Sequence, residues 1–332
     1  LSDWAMRVYA KSCEDMSEIP DGSVQTCVTS APYYGLRDYG VAGQIGLEET
    51  VDAFVERLVA VFREVRRVLR DDGTAWVNLG DSYATRGTRM GNRHGSLGED
   101  RRDEHSALGY RAVTPGLKEK DLIGVPWRVA FALQADGWYL RSDIIWAKPN
   151  RMPSSVTDRP TSSHEHVFLL ARSARYFYDA DAIREPLRPA TLKRIDQAKW
   201  RSGEQAGSER AHAGAKANGA MRAVVNLKGA TRAPQIEDGD FDPAGANKRD
   251  VWTIATMPYV DAHFATFPRE LPSLCIRAGS RPGDVVLDPF MGSGTTAEVA
   301  ESLGRRWVGY ELNPEYHALI AARTRQTGLF TA

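Results

Sequence analysis

Residues 285–311 constrain this chain more than any other stretch. An apolar strand, VVL, runs into Asp288-Pro289-Phe290-Met291-Gly292-Ser293-Gly294-Thr295-Thr296, then a helical run to Leu303, then a second apolar strand closing on Glu311. Glycines at 292 and 294 let the backbone turn tightly and approach a ligand where a Cβ would intrude. The amides opening the helix make a partly positive terminus suited to a carboxylate. Glu311 follows Gly294 by seventeen residues, close to the offset at which an acid grips ribose hydroxyls in dinucleotide folds. The loop is neither GxGxxG nor a P-loop ending in GKT/S, so NAD and ATP fit poorly.

The N-terminal part repeats the logic. Val24 to Ser30 reads as a buried strand, Thr50 to Leu69 as an amphipathic helix stopped by Asp71-Asp72-Gly73, and Thr74 to Leu79 as a strand ending at Gly80-Asp81. Pro126 to Ala135 reads as a helix, Tyr139 to Trp146 and His166 to Ala171 as strands, and Glu315 to Arg325 as a closing helix. The expected fold is α/β: a doubly wound, Rossmann-like, mixed but mostly parallel sheet with helices on both faces. Residues 85–120 lose periodicity and are expected to form a long loop. The division expected is a catalytic part over 1–184, an insertion over 185–250, and a cofactor-binding part of the same domain over 251–332.

Composition mainly excludes. Lys and Arg balance Asp and Glu at 43 each, so a nucleic-acid surface must come from local segregation of charge. Residues 187–233 supply one, with ten basic residues against three acidic ones, a footprint expected of phosphate contacts or of a solvated insertion. Cys13, Cys27 and Cys275 are isolated, which disfavours a disulfide framework or structural zinc and fits a cytoplasmic protein. No apolar run approaches the roughly 20 residues of a membrane span. The chain opens at Leu1 rather than Met, as expected of a longer or processed product.

Asp288 to Thr296 resembles the adenosylmethionine-binding segment of the amino-methyltransferases of DNA, which modify cytosine N4 or adenine N6. The resemblance implies S-adenosylmethionine as cofactor, held by Asp288, Pro289, Phe290, Gly292, Ser293, Gly294, Thr295 and Thr296, with Glu311 and Asn313 near the ribose. His263-Phe264-Ala265-Thr266-Phe267-Pro268 is similar to the segment completing the methionine pocket. Ser30-Ala31-Pro32-Tyr33 resembles the family's Ser-Pro-Pro-Tyr, with Ala31 in place of the first proline, which removes a fixed φ and is expected to weaken activity. Ser12 stands where relatives commonly carry an Asp.

An exocyclic amine is a poor nucleophile because its lone pair is delocalised into the ring. Ser30 Oγ and the Ala31 carbonyl can hold its two hydrogens and aim that lone pair at a sulfonium methyl, with Tyr33 stacking on a base flipped out of the duplex. Tyr34, Asp81, Trp146 and Lys148 are expected to line the base pocket. Serine at the first position is more typical of cytosine-N4 enzymes. Adenine N6 stays open, as do a DNA-binding protein with a disabled site and an RNA or small-molecule methyltransferase. The residues before the cysteines are Ser12, Thr26 and Leu274, which disfavours a Pro-Cys nucleophile and C5 chemistry. The partners implied are DNA and a cognate restriction endonuclease, with no metal and a monomer or homodimer.

Overall fold

The computed structural model describes residues 4–35, 40–84, 116–151, 153–187, 245–256 and 268–327. The chain divides into two compact units, one of Leu1–Tyr178 with Asp250–Ala332, the other Asp179–Arg249. Described parts of the smaller unit are a 3-10 turn at Asp181–Ile183, a bridge between Glu185 and Ala246, and a Glu185–Arg249 ion pair. The basic stretch and the body of the 85–120 loop lie outside the described residues.

In the larger unit the described strands are β1 (Arg7–Tyr9), β2 (Val24–Ser30), β3 (Leu69–Leu79), β4 (Tyr139–Ala147), β5 (His164–Ala171), β6 (Val251–Thr253), β7 (Val285–Asp288) and β8 (Arg306–Tyr310). The helices are α1 (Val51–Val68), α2 (Val125–Ala135), α3 (Glu270–Gly279), α4 (Thr295–Ser302) and α5 (Pro314–Thr327). One sheet of order β1-β8-β7-β2-β3-β5-β4-β6 results, parallel throughout except that β5 runs against both neighbours. The expected doubly wound α/β fold is the fold observed. Among the described residues no helix is long and apolar enough to cross a membrane.

Helix α1 forms where the apolar spacing predicts it. Thr50 caps it by accepting the Ala53 amide at 3.1 Å, and Phe54, Leu58, Val61, Phe62, Val65 and Val68 bury one stripe. The Asp71-Asp72-Gly73 run does not separate helix from strand as expected. Strand β3 begins at Leu69 and passes through it: Val24 pairs with Leu69 but Thr26 with Thr74, so extra residues bulge out of the ladder. Gln25 Nε2 and the Phe177 amide bind Asp72 there, and a Cβ on Gly73 would stand 2.8 Å from the Arg70 carbonyl. Side-chain and tertiary bonds replace the turn that the local sequence suggests. Strands β1 and β6, three residues each, and helix α3 escaped the periodicity reading.

Helix α3 rests directly on the sheet. A Cβ on Gly279 would lie 2.7 Å from Thr26 Oγ1 and 2.9 Å from Trp76 Nε1. Replacing Gly279 with Ala is therefore expected to lose about 1–3 kcal/mol through overpacking. A urea midpoint unchanged from wild type would refute this contact.

Candidate active site

Residues distant in sequence meet because β2 and β7 are neighbours. Cys27 pairs with Leu287, which sets the carboxyl ends of both strands side by side. Thr29 Oγ1 donates to Asp288 Oδ1 at 2.6 Å, and Thr296 Oγ1 donates to the Val28 carbonyl at 3.3 Å. The loop after β7 is thus tied to the strand that ends at Ser30.

On the β7 side, Asp288 is 1% exposed. Burial raises its carboxyl to about 6, against the pull of hydrogen bonds from Thr29 and the Phe290 amide. Gly292 and Gly294 take φ of 51° and 84°, conformations that other residues rarely adopt. Gly294 begins α4 with no side chain capping its amides. Glu311 accepts the amides of Gly292 and Asn313, each at 2.7 Å, which binds the loop to the end of β8; burial raises its carboxyl too.

Several expected cofactor contacts have other work. Thr295 Oγ1 accepts Arg323 Nη1 at 2.7 Å, so together with Thr296 it anchors the loop to α5 and β2. Asn313 Oδ1 accepts the Glu315 amide at the start of α5. Pro268 is buried before α3 and its carbonyl accepts the Leu271 amide. His263, Phe264 and Phe267 lie outside the described residues. Ser12 bonds Glu14, past the end of β1.

On the β2 side, sheet register assembles a row of polar groups. Ser30 pairs with Asn78, and Trp146 pairs with Glu165, the second residue of β5. Because β5 is antiparallel, its first residues stand at the carboxyl edge of the neighbouring strands. Asn78 Nδ2 lies 3.2 Å from Ser30 Oγ, 3.1 Å from Tyr33 Oη and 3.1 Å from Glu165 Oε2. Tyr33 Oη donates to Glu165 Oε2 at 2.6 Å, and Lys148 Nζ donates to Glu165 Oε1. Lys148 Nζ also sits 4.0 Å over the Trp146 ring, whose Nε1 donates to the Ile254 carbonyl. Burial pulls the Lys148 ammonium down, and Glu165 opposes it. A Cβ on Gly80 would stand 2.7 Å from the Tyr33 ring, so glycine is what lets that ring lie against the backbone.

Two expected pocket residues stand elsewhere. The Asp81 carboxylate accepts the amides of Ser82, Gly124 and Val125 and so seals the start of α2, a position where an anion is stabilised. Tyr34 is 5% exposed, tilts against Phe54 and reaches the Glu49 carbonyl, as a core residue does. Trp146 and Lys148 do belong to the row with Glu165, and Asn78 joins it unanticipated. One signal was available: Asn78 interrupts the apolar run of TAWVNL, and a polar residue in a buried strand needs a partner.

Ala31 has a structural role that the sequence did not suggest. Its amide donates to the Asn78 carbonyl at 3.1 Å, extending the β2–β3 ladder by one residue, a bond proline cannot make. Replacing Ala31 with Pro is expected to lose about 1 kcal/mol of stability and to leave the methylation rate no higher than wild type. Denaturation and rate measurements check both; a faster variant would restore the view of Ala31 as a defect.

A family profile described as DNA methylase matches residues 24–322. The chain belongs to this family. The methylase is 47% identical over 309 residues to the Type II methyltransferase M.XycI of Xanthomonas campestris pv. cyanopsidis, covering 93% of this chain and 83% of that one. It is 46% identical over 302 residues to the Type II methyltransferase M.Cfr9I of Citrobacter freundii, covering 91% and 81%. In fold it is similar to PvuII DNA methyltransferase (cytosine-N4-specific), with a TM-score of 0.58, 19% identity and coverage of 96% and 85%. It is likewise similar to a putative DNA modification methylase from Thermus thermophilus complexed with S-adenosyl-L-methionine, with a TM-score of 0.54, 21% identity and coverage of 97% and 93%.

The methylase family takes its methyl group from S-adenosylmethionine. The loop after β7 fits that molecule. Asp288 Oδ2 and Ser293 Oγ are buried and without hydrogen-bond partners among the described residues, two polar atoms in want of a ligand. A Cβ on Gly292 would meet nothing within 4 Å, and the N-terminus of α4 is uncapped, which leaves space and free amides for a carboxylate. Glu311 keeps lone pairs beyond its two amide bonds for ribose hydroxyls.

Proposed function

We propose that this methylase transfers a methyl group from S-adenosylmethionine to N4 of a cytosine flipped out of DNA. The observation carrying the reading is the junction of β2 with β7: Thr29 binds Asp288 while Ser30, the next residue, faces the row of Asn78, Tyr33, Glu165 and Lys148. One strand end therefore serves the cofactor loop and the target.

When bound, S-adenosylmethionine supplies a methyl group on a sulfonium that leaves as a neutral thioether. Asp288, Ser293, the amides at the head of α4 and Glu311 hold that molecule in place. Ser30 Oγ and the Ala31 carbonyl accept the two hydrogens of the target amine, turning its lone pair out of the ring. Tyr33 packs against the base. Orientation supplies most of the acceleration, since the leaving group needs no activation. Serine at position 30 and the cytosine-N4 specificity in the name of the PvuII relative favour cytosine. The likeness to Type II methyltransferases supports a role in a restriction–modification system, with a cognate endonuclease as its partner. Residues 185–250 would carry target recognition.

Incubation with labelled S-adenosylmethionine and PCR-amplified DNA, followed by mass spectrometry of nucleosides, is expected to yield N4-methylcytosine. N6-methyladenine instead would overturn the target, and no methylated base would overturn the function.

A further inference from the structure

Tyr33, Asn78, Glu165 and Lys148 form more hydrogen bonds than a stacking platform requires, and the bonds share one direction. Asn78 presents its amide nitrogen, since its oxygen turned to the Glu165 carboxylate would repel it; its two hydrogens are shared among Glu165 Oε2, Ser30 Oγ and Tyr33 Oη. Ser30 Oγ and Tyr33 Oη gather around that one nitrogen, at 3.2 and 3.1 Å, and Tyr33 donates to Glu165 at 2.6 Å. A carboxylate only accepts, so the chain can carry protons one way alone. Ser30 Oγ, which receives Asn78 and can turn its proton towards Tyr33, keeps one lone pair for an incoming N–H.

Methylating an amine creates a surplus proton. The nitrogen lone pair forms the N–C bond, the C–S electrons leave with sulfur, and one N–H must break. Ser30 has no basicity of its own for that proton. We propose that Glu165 is the proton acceptor of the reaction, reached through the hydroxyls of Ser30 and Tyr33 in the methyl-transfer step. The amine proton passes to Ser30 Oγ as the Ser30 proton passes to Tyr33 Oη and the Tyr33 proton to Glu165 Oε2. The N–H electrons stay on nitrogen, and the products are a neutral methylated amine and a neutral glutamic acid. Lys148 holds Glu165 in place from Oε1, and Asn78 fixes both hydroxyls. Glu165 and Lys148 are thus positioning and proton-accepting groups that never touch the base. The inference rests on the reading that Ser30 receives the target amine and holds for cytosine or adenine alike.

The experiment is single-turnover methylation of PCR-amplified DNA at saturating S-adenosylmethionine, in H2O, D2O and mixtures. Wild type is expected to show a normal solvent isotope effect that curves with deuterium content, more than one proton being in motion. Tyr33→Phe keeps the ring against Gly80 and removes the relay; Glu165→Gln keeps the shape and removes the acceptor. Each is expected to slow transfer about 100-fold and to abolish the curvature. Thermal melts establish that each variant folds, and if Glu165→Gln does not, Tyr33→Phe decides alone. Variants within threefold of wild type overturn the relay, as do slow variants that keep the wild-type isotope effect, for then Tyr33 only positions the base. A wild type without an isotope effect overturns it as well. Absence of methylation by wild type defeats the underlying function instead, so the two failures are distinct.

Discussion

Replacing Glu165 with Leu is expected to destabilise the protein by about 3–5 kcal/mol, the cost of leaving a buried ammonium without its counter-ion. Lys148 is 7% exposed and Glu165 8%, and they bond directly. Lys148 also lies over the Trp146 ring, a contact worth about 2 kcal/mol when desolvated and less than the cost of losing the carboxylate. Tyr33 and Asn78 would lose an acceptor in the same variant. Replacing Lys148 with Met and Glu165 with Leu together should recover most of the loss, because removing a buried pair entire leaves no orphaned charge.

The pH dependence of that variant has a defined sign. Burial already lowers the Lys148 pKa, and without Glu165 nothing opposes it. The unfolded chain then binds more protons than the folded one, so the stability of Glu165→Leu should rise as pH climbs towards 10. Urea midpoints of the single and double variants between pH 6 and 10 provide the measurement. A single variant within about 1 kcal/mol of wild type would mean that the pair is not buried as described.

Local features were readable from sequence. The stripe of α1 and the glycine loop before α4 state their structure in adjacent residues, and the parallel sheet follows from strands alternating with helices. The resemblance of Asp288 to Thr296 and of Ser30 to Tyr33 supplied the function that these patterns alone left open. What stayed illegible depends on register between strands distant in sequence. Glu165 and Ser30 share a row because β3 lies between β2 and β5, and because β5 runs backwards, facts that the residues around Glu165 do not carry. The same cause explains Asp81, whose carboxylate is claimed by amides more than forty residues away, and Thr295, whose hydroxyl is claimed by α5. Asp71-Asp72-Gly73 misled for the opposite reason: its local turn signal is strong, yet bonds from Gln25 and Phe177 absorb it into β3.

Replacing Asp288 with Asn should separate stability from cofactor binding. In the cofactor-free protein, burial raises this carboxyl from 3.8 to about 6. A raised carboxyl stabilises the fold when protonated, so its contribution is complete below pH 3.8 and is lost as pH rises through about 6. The charge that remains at pH 7 and above costs the folded state about 3 kcal/mol. Asparagine carries no such charge and can still accept from Thr29 and the Phe290 amide through its oxygen. The variant should therefore be more stable than wild type at pH 7.5, by up to about 3 kcal/mol, and should lack the loss of stability between pH 4 and 6. Binding should move the other way. The buried Oδ2 has no partner among the described residues, and exchanging that acceptor for an amide nitrogen removes a charge-assisted bond worth about 1.5–3 kcal/mol. Calorimetry with S-adenosylmethionine should show a Kd higher by about 10–100-fold for the variant, and for wild type an affinity that weakens as pH falls through about 6. Equal affinity in the two proteins, with unequal stability, would make Asp288 a strut for the β2–β7 junction rather than a ligand of the cofactor.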